Sequence, residues 1–268
     1  MFTPQGPTFR ELAVQALSSI EHGYDLLAPK FDHTPFRTPD SILDAVSSAL
    51  ERIGPFDHGL DLCCGTGAGM RVLSDLCRER VTGVDISAGM LAVGRERADA
   101  AGARPGRAPR VAREREPQVA RERAPRVAWV RGDARALPFA SAFDLVVSFG
   151  AFGHFLPREL PGLFAQVHSV LRPGGRFAFP IAAPPRPSSP FYWALLGFDA
   201  AMRVRNALWR PTFVMYYRAF RLDEVRRELA LAGFEVELLA LPEFGTRPDG
   251  SPRCRMVVAT RSDGPPPA

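Results

Sequence analysis

Lysine is nearly absent from this 268-residue sequence, because Lys30 is the only lysine among 34 basic residues. The four cysteines, Cys63, Cys64, Cys77 and Cys254, form no CxxC pair and no disulfide framework, so we expect free thiols in a reducing compartment. The first ten residues lack the apolar core of a secretory leader, and no uncharged apolar run reaches the ~18 residues of a membrane span. Composition therefore favours a cytoplasmic globular protein without stable membrane insertion.

The net charge of +5 comes from one segment. Residues 95–135 contain 12 arginines and 6 acids, whereas the rest of the chain has 22 basic and 23 acidic residues. Three octads repeat within this segment: APRVARER at 108–115, EPQVARER at 116–123 and APRVAWVR at 124–131. The recurring proline prevents a continuous helix, and the charged sequence offers little apolar surface to bury. We expect a surface loop over about 102–125, either a tolerated insertion or a tether for RNA or acidic surfaces.

Outside this loop, short apolar strands alternate with amphipathic helices. Strands are predicted at 59–63, 81–85, 127–130, 143–149, 176–182, 234–241 and 254–260, and helices at 11–28, 40–53, 68–79, 87–101, 157–171 and 222–232. Alternation at this spacing predicts an α/β fold with a doubly wound, mostly parallel sheet and helices on both faces.

The stretch DLCCGTGAG, residues 61–69, follows the first predicted strand and opens a helix. A GxxxxGK[ST] phosphate loop is excluded because no lysine follows, and a GxGxxG dinucleotide fingerprint fails because Met70 stands at the third glycine position. Vicinal cysteines suit neither a metal nor a dithiol site, since neighbouring strand residues point to opposite faces. A loop for a nucleoside without a pyrophosphate remains, and no metal is expected.

This stretch and four further motifs together resemble class I S-adenosylmethionine-dependent methyltransferases of the small-molecule type. In chain order the motifs are DLCCGTG at 61–67, VDIS at 84–87, RGDA at 131–134 followed by ALPF at 136–139, FDLVVSF at 143–149 followed by GHF at 153–155, and LRPGG at 171–175. Each motif is weak alone, whereas their order and spacing are specific. The resemblance runs from about residue 24 to 182. It departs from the family pattern at Cys63, which replaces the first glycine of D-x-G-x-G-x-G.

The resemblance implies S-adenosylmethionine as cofactor and a Rossmann-like seven-stranded sheet whose last strand is antiparallel. Asp85 would accept the ribose hydroxyls, Asp133 would bind the adenine amine, and Asp61 would organise the loop near the methionine part. The full set of implied cofactor contacts is Tyr24, Asp61, Cys63, Gly65, Thr66, Gly67, Asp85, Ile86, Met90, Gly132, Asp133, Ala134, Phe149 and Gly150.

The resemblance also implies a small-molecule acceptor, covered by an aromatic insertion at about 184–220. We expect residues 1–53 to form an N-terminal helical segment over the cofactor, and 54–268 to form the methyltransferase domain with core motifs at 59–182. The methyl group would pass by in-line displacement to an O, N or C atom of an apolar or aromatic metabolite. His154 is the candidate general base, and a merely structural role for it stays open.

Two other functions stay open. The arginine-rich loop would suit an RNA methyltransferase, but the [NDS]PP[YF] motif of amino-group methylases is missing after the fourth strand, where 148–152 reads SFGAF, so no nucleic-acid partner is expected. The fold could also be a non-catalytic, cofactor-binding scaffold.

The aromatic insertion also carries three arginines, Arg203, Arg205 and Arg210. They could bind an anionic group or, through an amphipathic helix, a membrane surface. Both a monomer and a homodimer are compatible with the sequence.

Overall fold

The computed structural model describes residues 5–102, 124–216 and 220–262. Most of the octad repeat therefore lies outside the described residues, and the loop expected there stays a prediction. The helices are α1 (Phe9–Leu17), α2 (Ile20–Leu27), α3 (Asp40–Glu51), α4 (Ala68–Leu76), α5 (Ala88–Gly102), α6 (Leu160–Val170), α7 (Pro190–Leu208) and α8 (Leu222–Leu231). The strands are β1 (Phe56–Leu62), β2 (Cys77–Asp85), β3 (Arg126–Arg131), β4 (Phe143–Val147), β5 (Leu171–Ala182), β6 (Phe234–Ala240) and β7 (Cys254–Arg261). Within the described ranges, no helix is both long and apolar enough to cross a membrane.

The seven strands form one sheet in the order β3-β2-β1-β4-β5-β7-β6. All pairings among β1 to β5 are parallel, whereas β7 runs antiparallel between β5 and β6. This confirms the predicted doubly wound, mostly parallel sheet with an antiparallel last strand. Strand order reverses between β1 and β4, and ligands of such sheets bind beyond the carboxyl ends of the strands at this point.

Helices cover both faces of the sheet. On one face, Phe164 of α6 and Leu229 of α8 share a buried cluster with Phe177 of β5. On the other face, Val46 of α3 and Leu73 of α4 belong to a second cluster. Each fully buried side chain of this size contributes about 1.5–3 kcal/mol of hydrophobic free energy. The two clusters therefore hold the sheet rigid below its carboxyl edge.

The structure differs from the sequence expectations at several element boundaries. The helix expected over 68–79 ends at Leu76, and the strand expected from Val81 begins at Cys77, because Cys77 and Arg80 already pair with β1. The helix expected over 11–28 is divided into α1 and α2, because Ser19 adopts an extended backbone and its hydroxyl accepts a hydrogen bond from the His22 N–H. Strand β5 begins at Leu171 rather than at 176, and Gly174 (φ 71°) lies inside it. The pairing register with β4 shifts there, so the expected turn is an irregularity within the strand.

Candidate functional site

A cavity of about 330 Å³ lies beyond the carboxyl ends of β1 to β4. It is lined by the glycine-rich turn after β1, by α2 and residues 31–38, and by the segments 132–135 and 149–155 that follow β3 and β4. All implied cofactor contacts except Gly67 line this cavity, and so does His154. A side chain on Gly67 would meet the ring of Trp129 instead. The sequence motifs thus converge on one site, although they are scattered along the chain.

The glycine-rich turn requires three residues in the left-handed region: Cys63 (φ 57°), Gly65 (φ 51°) and Gly67 (φ 90°). A non-glycine residue costs about 1–2 kcal/mol in this conformation. The φ of Cys63 therefore explains why glycine is the usual residue at its position. Cys63 follows the end of β1 and packs against one face of the sheet, whereas Cys64 is buried in the cluster on the other face. The expected divergence of the two thiols is present, but a turn produces it rather than strand alternation.

Asp61 of β1 is a buried carboxylate whose Oδ2 has no hydrogen-bond partner within the described part of the chain. Burial is the main cause that raises the pKa of Asp61 well above its ordinary value, followed by the charge of Asp85, while the Met70 N–H opposes the shift. A Cβ on Gly69 would lie 2.5 Å from Asp61 Oδ2. Glycine at position 69 therefore allows α4 to begin directly against this carboxylate.

Asp85 ends β2, and both of its carboxylate oxygens accept a backbone hydrogen bond. Oδ2 accepts from Gly65 N–H at 2.8 Å and Oδ1 accepts from Ser87 N–H at 2.9 Å. Burial raises the pKa of Asp85, and the N–H groups of Ser87, Gly65 and Ile86 oppose that rise. Because a carboxylate offers about four lone-pair sites, Asp85 retains acceptor capacity toward the cavity.

Asp133 lies two residues beyond β3 and is held by Arg135. Its Oδ1 accepts the Arg135 backbone N–H at 2.9 Å and contacts the guanidinium at 3.3 Å. The same guanidinium bonds Glu159 at 2.8 Å and lies over the ring of Phe155 at 4.9 Å. Arg135 therefore fixes the acid at the cavity wall. Nothing in the RGDA motif itself identifies this arginine as the positioning group.

The N-terminal segment is attached to the cavity by two acids that sequence reasoning missed. Asp25 Oδ1 accepts the Ser87 hydroxyl at 2.6 Å and the Gly89 N–H at 2.8 Å. Asp32 Oδ1 accepts the Thr66 hydroxyl at 2.7 Å. These bonds connect α2 and the following turn to the loops after β1 and β2. Because the contacts join positions far apart in the chain, no local pattern signals them.

Tyr24 and His154 form a hydrogen-bonded pair across the cavity. The Tyr24 hydroxyl lies 2.7 Å from His154 Nε2, and His154 Nδ1 lies 2.7 Å from the carbonyl oxygen of Val214. A carbonyl only accepts, so Nδ1 carries the proton and Nε2 accepts the phenolic O–H. Burial lowers the pKa of His154 from 6.5; the Val214 carbonyl opposes this shift, and the charge of Arg135 adds to it. The imidazole is therefore neutral at neutral pH.

The aromatic insertion contributes little to the cavity wall itself. Among its described residues, Thr212 alone lines the cavity. Phe213 stacks on Tyr24 at a centroid distance of 6.2 Å, and Tyr216 belongs to the same buried cluster, with Arg203 lying over its ring at 4.6 Å. The insertion therefore supports α2 from outside, and its role as an acceptor lid stays a prediction.

Comparison with known proteins places these features in a family. Residues 60–179 match the methyltransferase domain family. The chain is 32% identical over 209 residues to the demethylmenaquinone methyltransferase of Symbiobacterium thermophilum, covering 70% of this chain and 73% of that protein. It is 32% identical over 183 residues to the ubiquinone/menaquinone biosynthesis C-methyltransferase of Paracoccus denitrificans, covering 63% of this chain and 61% of that protein. The match thus spans less than two thirds of the length of the Paracoccus relative.

A solved structure shares the fold. The magnesium protoporphyrin IX methyltransferase of Synechocystis PCC 6803 with bound S-adenosylhomocysteine superposes with a TM-score of 0.52 at 19% identity, covering 82% of this chain and 81% of that chain. At this identity the likeness concerns the fold alone. Together with the sequence relatives and the motif order, it shows that the chain belongs to the class I S-adenosylmethionine-dependent methyltransferases.

Proposed function

We propose that the protein transfers the methyl group of S-adenosylmethionine to a ring carbon of a small, hydroxylated aromatic acceptor of the quinol type. One observation carries the proposal: Asp61, Asp85 and Asp133 line one cavity that also contains the Tyr24–His154 pair. The acids suit the cationic, polar cofactor, and the pair suits an acceptor that loses a proton. The relatives named for quinone methylation support this acceptor class.

The residues present fit the cofactor. Each Asp85 oxygen already accepts one backbone N–H and keeps a further lone pair, which matches the two ribose hydroxyls. The partnerless Oδ2 of buried Asp61 matches the ammonium group of the methionine part. Asp133 and the Ala134 backbone, with Ile86 alongside, would hold the adenine. Bound in this way, the cofactor supplies an activated methyl group on a positively charged sulfur.

The remaining cavity wall favours a flat apolar acceptor. Phe31, Phe36, Phe149 and Phe155 line the cavity beside Tyr24. Aromatic walls bind rings through offset and edge contacts, and their faces tolerate the sulfonium charge. Aligning the acceptor carbon with the methyl group and excluding water are the main contributions that the chain can make to the rate.

The Tyr24–His154 pair supplies a route for the acceptor proton. The acceptor hydroxyl gives its proton to the Tyr24 oxygen as the Tyr24 proton moves to His154 Nε2, which leaves a phenolate-like acceptor and an imidazolium. The negative charge makes the ring carbon beside the hydroxyl nucleophilic, and the Val214 carbonyl stabilises the imidazolium through Nδ1–H. Once that carbon carries the methyl group, it loses its own hydrogen as a proton to solvent, and the imidazolium returns a proton through Tyr24 to the acceptor oxygen, which restores the aromatic hydroxyl. The candidate base His154 thus takes the acceptor proton through Tyr24 rather than directly.

The proposal is tested by mixing the protein with methyl-labelled S-adenosylmethionine and reduced 1,4-naphthoquinone, which carries unsubstituted ring carbons. We expect label on the ring carbon. A naphthoquinol methylated at both of these carbons is the matched control and should gain no label. Binding of the cofactor without transfer to the quinol contradicts the acceptor class. Label entering only added RNA favours an RNA methyltransferase, and cofactor binding with no transfer to either favours a scaffold.

A further inference from the structure

Helix α7 turns an apolar face outward and buries two polar side chains. Its buried side chains are Asp199, Met202 and Asn206, of which two are polar. Each residue of a helix is rotated by about 100° from the one before, so residues three or four positions apart lie on the same face. The face of α7 opposite its buried side chains is entirely apolar. This outward face consists of the exposed residues Trp193, Ala194, Gly197, Ala200, Ala201, Val204, Ala207 and Leu208.

Buried hydrogen bonds fix the helix in this orientation. The Asn206 side chain donates to the Phe213 carbonyl at 3.0 Å and accepts the Phe213 N–H at 2.9 Å. It also bonds the Tyr216 hydroxyl at 3.0 Å. Rotating α7 to bury its apolar face would leave these polar groups unpaired, which is unfavourable in a buried position. The apolar face is therefore held outward, with Trp193, Val204 and Leu208 exposed by 60%, 59% and 80%.

Positive charge borders the apolar face. At about 100° per residue, Arg203 and Arg205 fall on its two sides, and Arg210 follows the end of the helix. These three arginines form no ion pair with any residue that the structure describes. Arg205 donates to Asn206 Oδ1 and to the Pro211 and Ser18 carbonyls, whereas Arg210 donates to the Asn206 carbonyl at 2.8 Å and Arg203 lies over the Tyr216 ring. Between positions 186 and 221 the sequence has a single acid, Asp199, and this residue is buried.

The end of α7 lies next to the N-terminal segment, which carries a further exposed apolar side chain. Arg205 donates to the Ser18 carbonyl at 3.3 Å, which brings the end of α7 to the junction of α1 and α2. Leu17 beside this junction is 48% exposed, and Trp209 after α7 is 53% exposed. Contiguous exposed apolar surface with a polar border is typical of an interaction site.

We propose that α7 docks the protein on the surface of an anionic phospholipid bilayer. Its apolar face would enter the boundary between headgroups and acyl chains, and the exposed Arg203 and Arg210 would contact lipid phosphates. A second copy of the chain is less well matched, because pairing two such faces would bring the arginine borders of both helices together. Thr212, which follows α7 closely, lines the cavity, so docking would place the cavity near the bilayer.

Vesicle sedimentation tests the docking without cofactor or acceptor, so its outcome is separate from that of methyl transfer. The wild-type chain should bind vesicles of phosphatidylglycerol and phosphatidylcholine at least about tenfold more tightly than vesicles of phosphatidylcholine alone. The Val204→Glu/Leu208→Glu variant should lose at least about tenfold of this affinity, because it places charge on the apolar face. The matched control is Leu231→Glu on α8, a residue that is 58% exposed, and it should bind like the wild type. Equal binding by all three proteins overturns the proposal.

Tryptophan emission gives a second measurement. The chain has three tryptophans; Trp193 and Trp209 lie on the proposed surface, and Trp129 lies in β3. Anionic vesicles should shift the emission of Trp129→Phe to shorter wavelength and leave that of Trp193→Phe/Trp209→Phe unchanged. The reverse pattern, or no shift in either variant, contradicts docking. The wild-type chain could instead be a dimer that binds no vesicles and becomes monomeric in the Val204→Glu/Leu208→Glu variant. This result would assign the apolar face to contact with a second copy and overturn the proposal.

Discussion

The phenolic oxygen of Tyr24 lies 2.7 Å from Nε2 of His154, although 130 positions separate the two residues in the chain. The rings meet edge to face at a centroid distance of 5.2 Å, and the Phe213 ring contacts both of them at centroid distances of 6.2 Å. The pair is therefore fixed by packing as well as by the hydrogen bond. Its position in the cavity connects the N-terminal segment with the loop after β4.

Tyr24→Phe keeps the ring and removes the hydroxyl that bonds His154. If the pair carries the acceptor proton, turnover should fall by roughly 10²–10⁴-fold. Affinity for S-adenosylhomocysteine should stay nearly unchanged, since the ring remains in the wall. Tyr192→Phe makes the same chemical change on α7, where Tyr192 packs beside Trp193, and serves as the control. Unaltered turnover in Tyr24→Phe would show that the pair is structural.

The lowered pKa of His154 has a consequence for stability at acid pH. The unfolded chain binds a proton near the ordinary histidine pKa of 6.5, whereas burial keeps the folded histidine neutral to lower pH. The unfolded state thus binds more protons below this value, and the free energy of unfolding should fall as pH decreases. Urea unfolding across pH should show a smaller fall in His154→Gln. His168→Gln should also lessen the fall, because burial and then Arg261 lower the pKa of His168 as well. Identical curves for the wild type and His154→Gln would contradict the burial.

Gly69→Ala should destabilise the fold and weaken cofactor binding. The added Cβ would lie 2.5 Å from the buried Oδ2 of Asp61, so either α4 or the carboxylate must move. Overpacking of this kind costs about 1–3 kcal/mol. Gly162→Ala in α6 meets nothing within 4 Å and should gain up to about 1 kcal/mol from helix propensity. Urea unfolding gives the free energy of unfolding of both variants. Equal changes in this free energy would contradict the close contact between the start of α4 and Asp61.

Cys63→Gly should be more stable than Cys63→Ala by about 1 kcal/mol, because only glycine relieves the left-handed backbone. Both variants remove the thiol, so the difference isolates the φ of 57°. Cofactor affinity should change little in either. Cys63→Leu should weaken it, since the longer side chain enters the cavity that Cys63 lines. Equal stability of the glycine and alanine variants would contradict the strained turn.

Much of the site follows from local sequence. Asp61, Gly65 and Asp85 lie in motifs that end strands, and the parallel sheet brings those ends to one edge. The antiparallel last strand was implied by the family resemblance instead, and the sheet confirms it. Local patterns also fixed the glycine-rich turn, although the left-handed φ of Cys63 became visible only in the structure.

The remaining features depend on contacts between distant residues. The bonds of Asp25 to Ser87 and of Tyr24 to His154 join the N-terminal segment to loops 62 and 130 positions away. No period or motif encodes such a pairing. The sequence raised a membrane-binding amphipathic helix in this segment but did not show which face of α7 turns outward, because that depends on the bonds of buried Asn206 to Phe213 and Tyr216.

Calorimetric titration with S-adenosylhomocysteine tests the central claim most directly, since it asks whether the cavity beyond β1 to β4 binds the cofactor. The wild-type chain should bind at one site. Asp85→Asn should lose at least about tenfold in affinity, because the neutral amide accepts hydrogen bonds more weakly than a carboxylate. Asp44→Asn, an exposed change on α3, should match the wild type. Absence of binding by the wild type, or equal affinity in Asp85→Asn, would contradict the account.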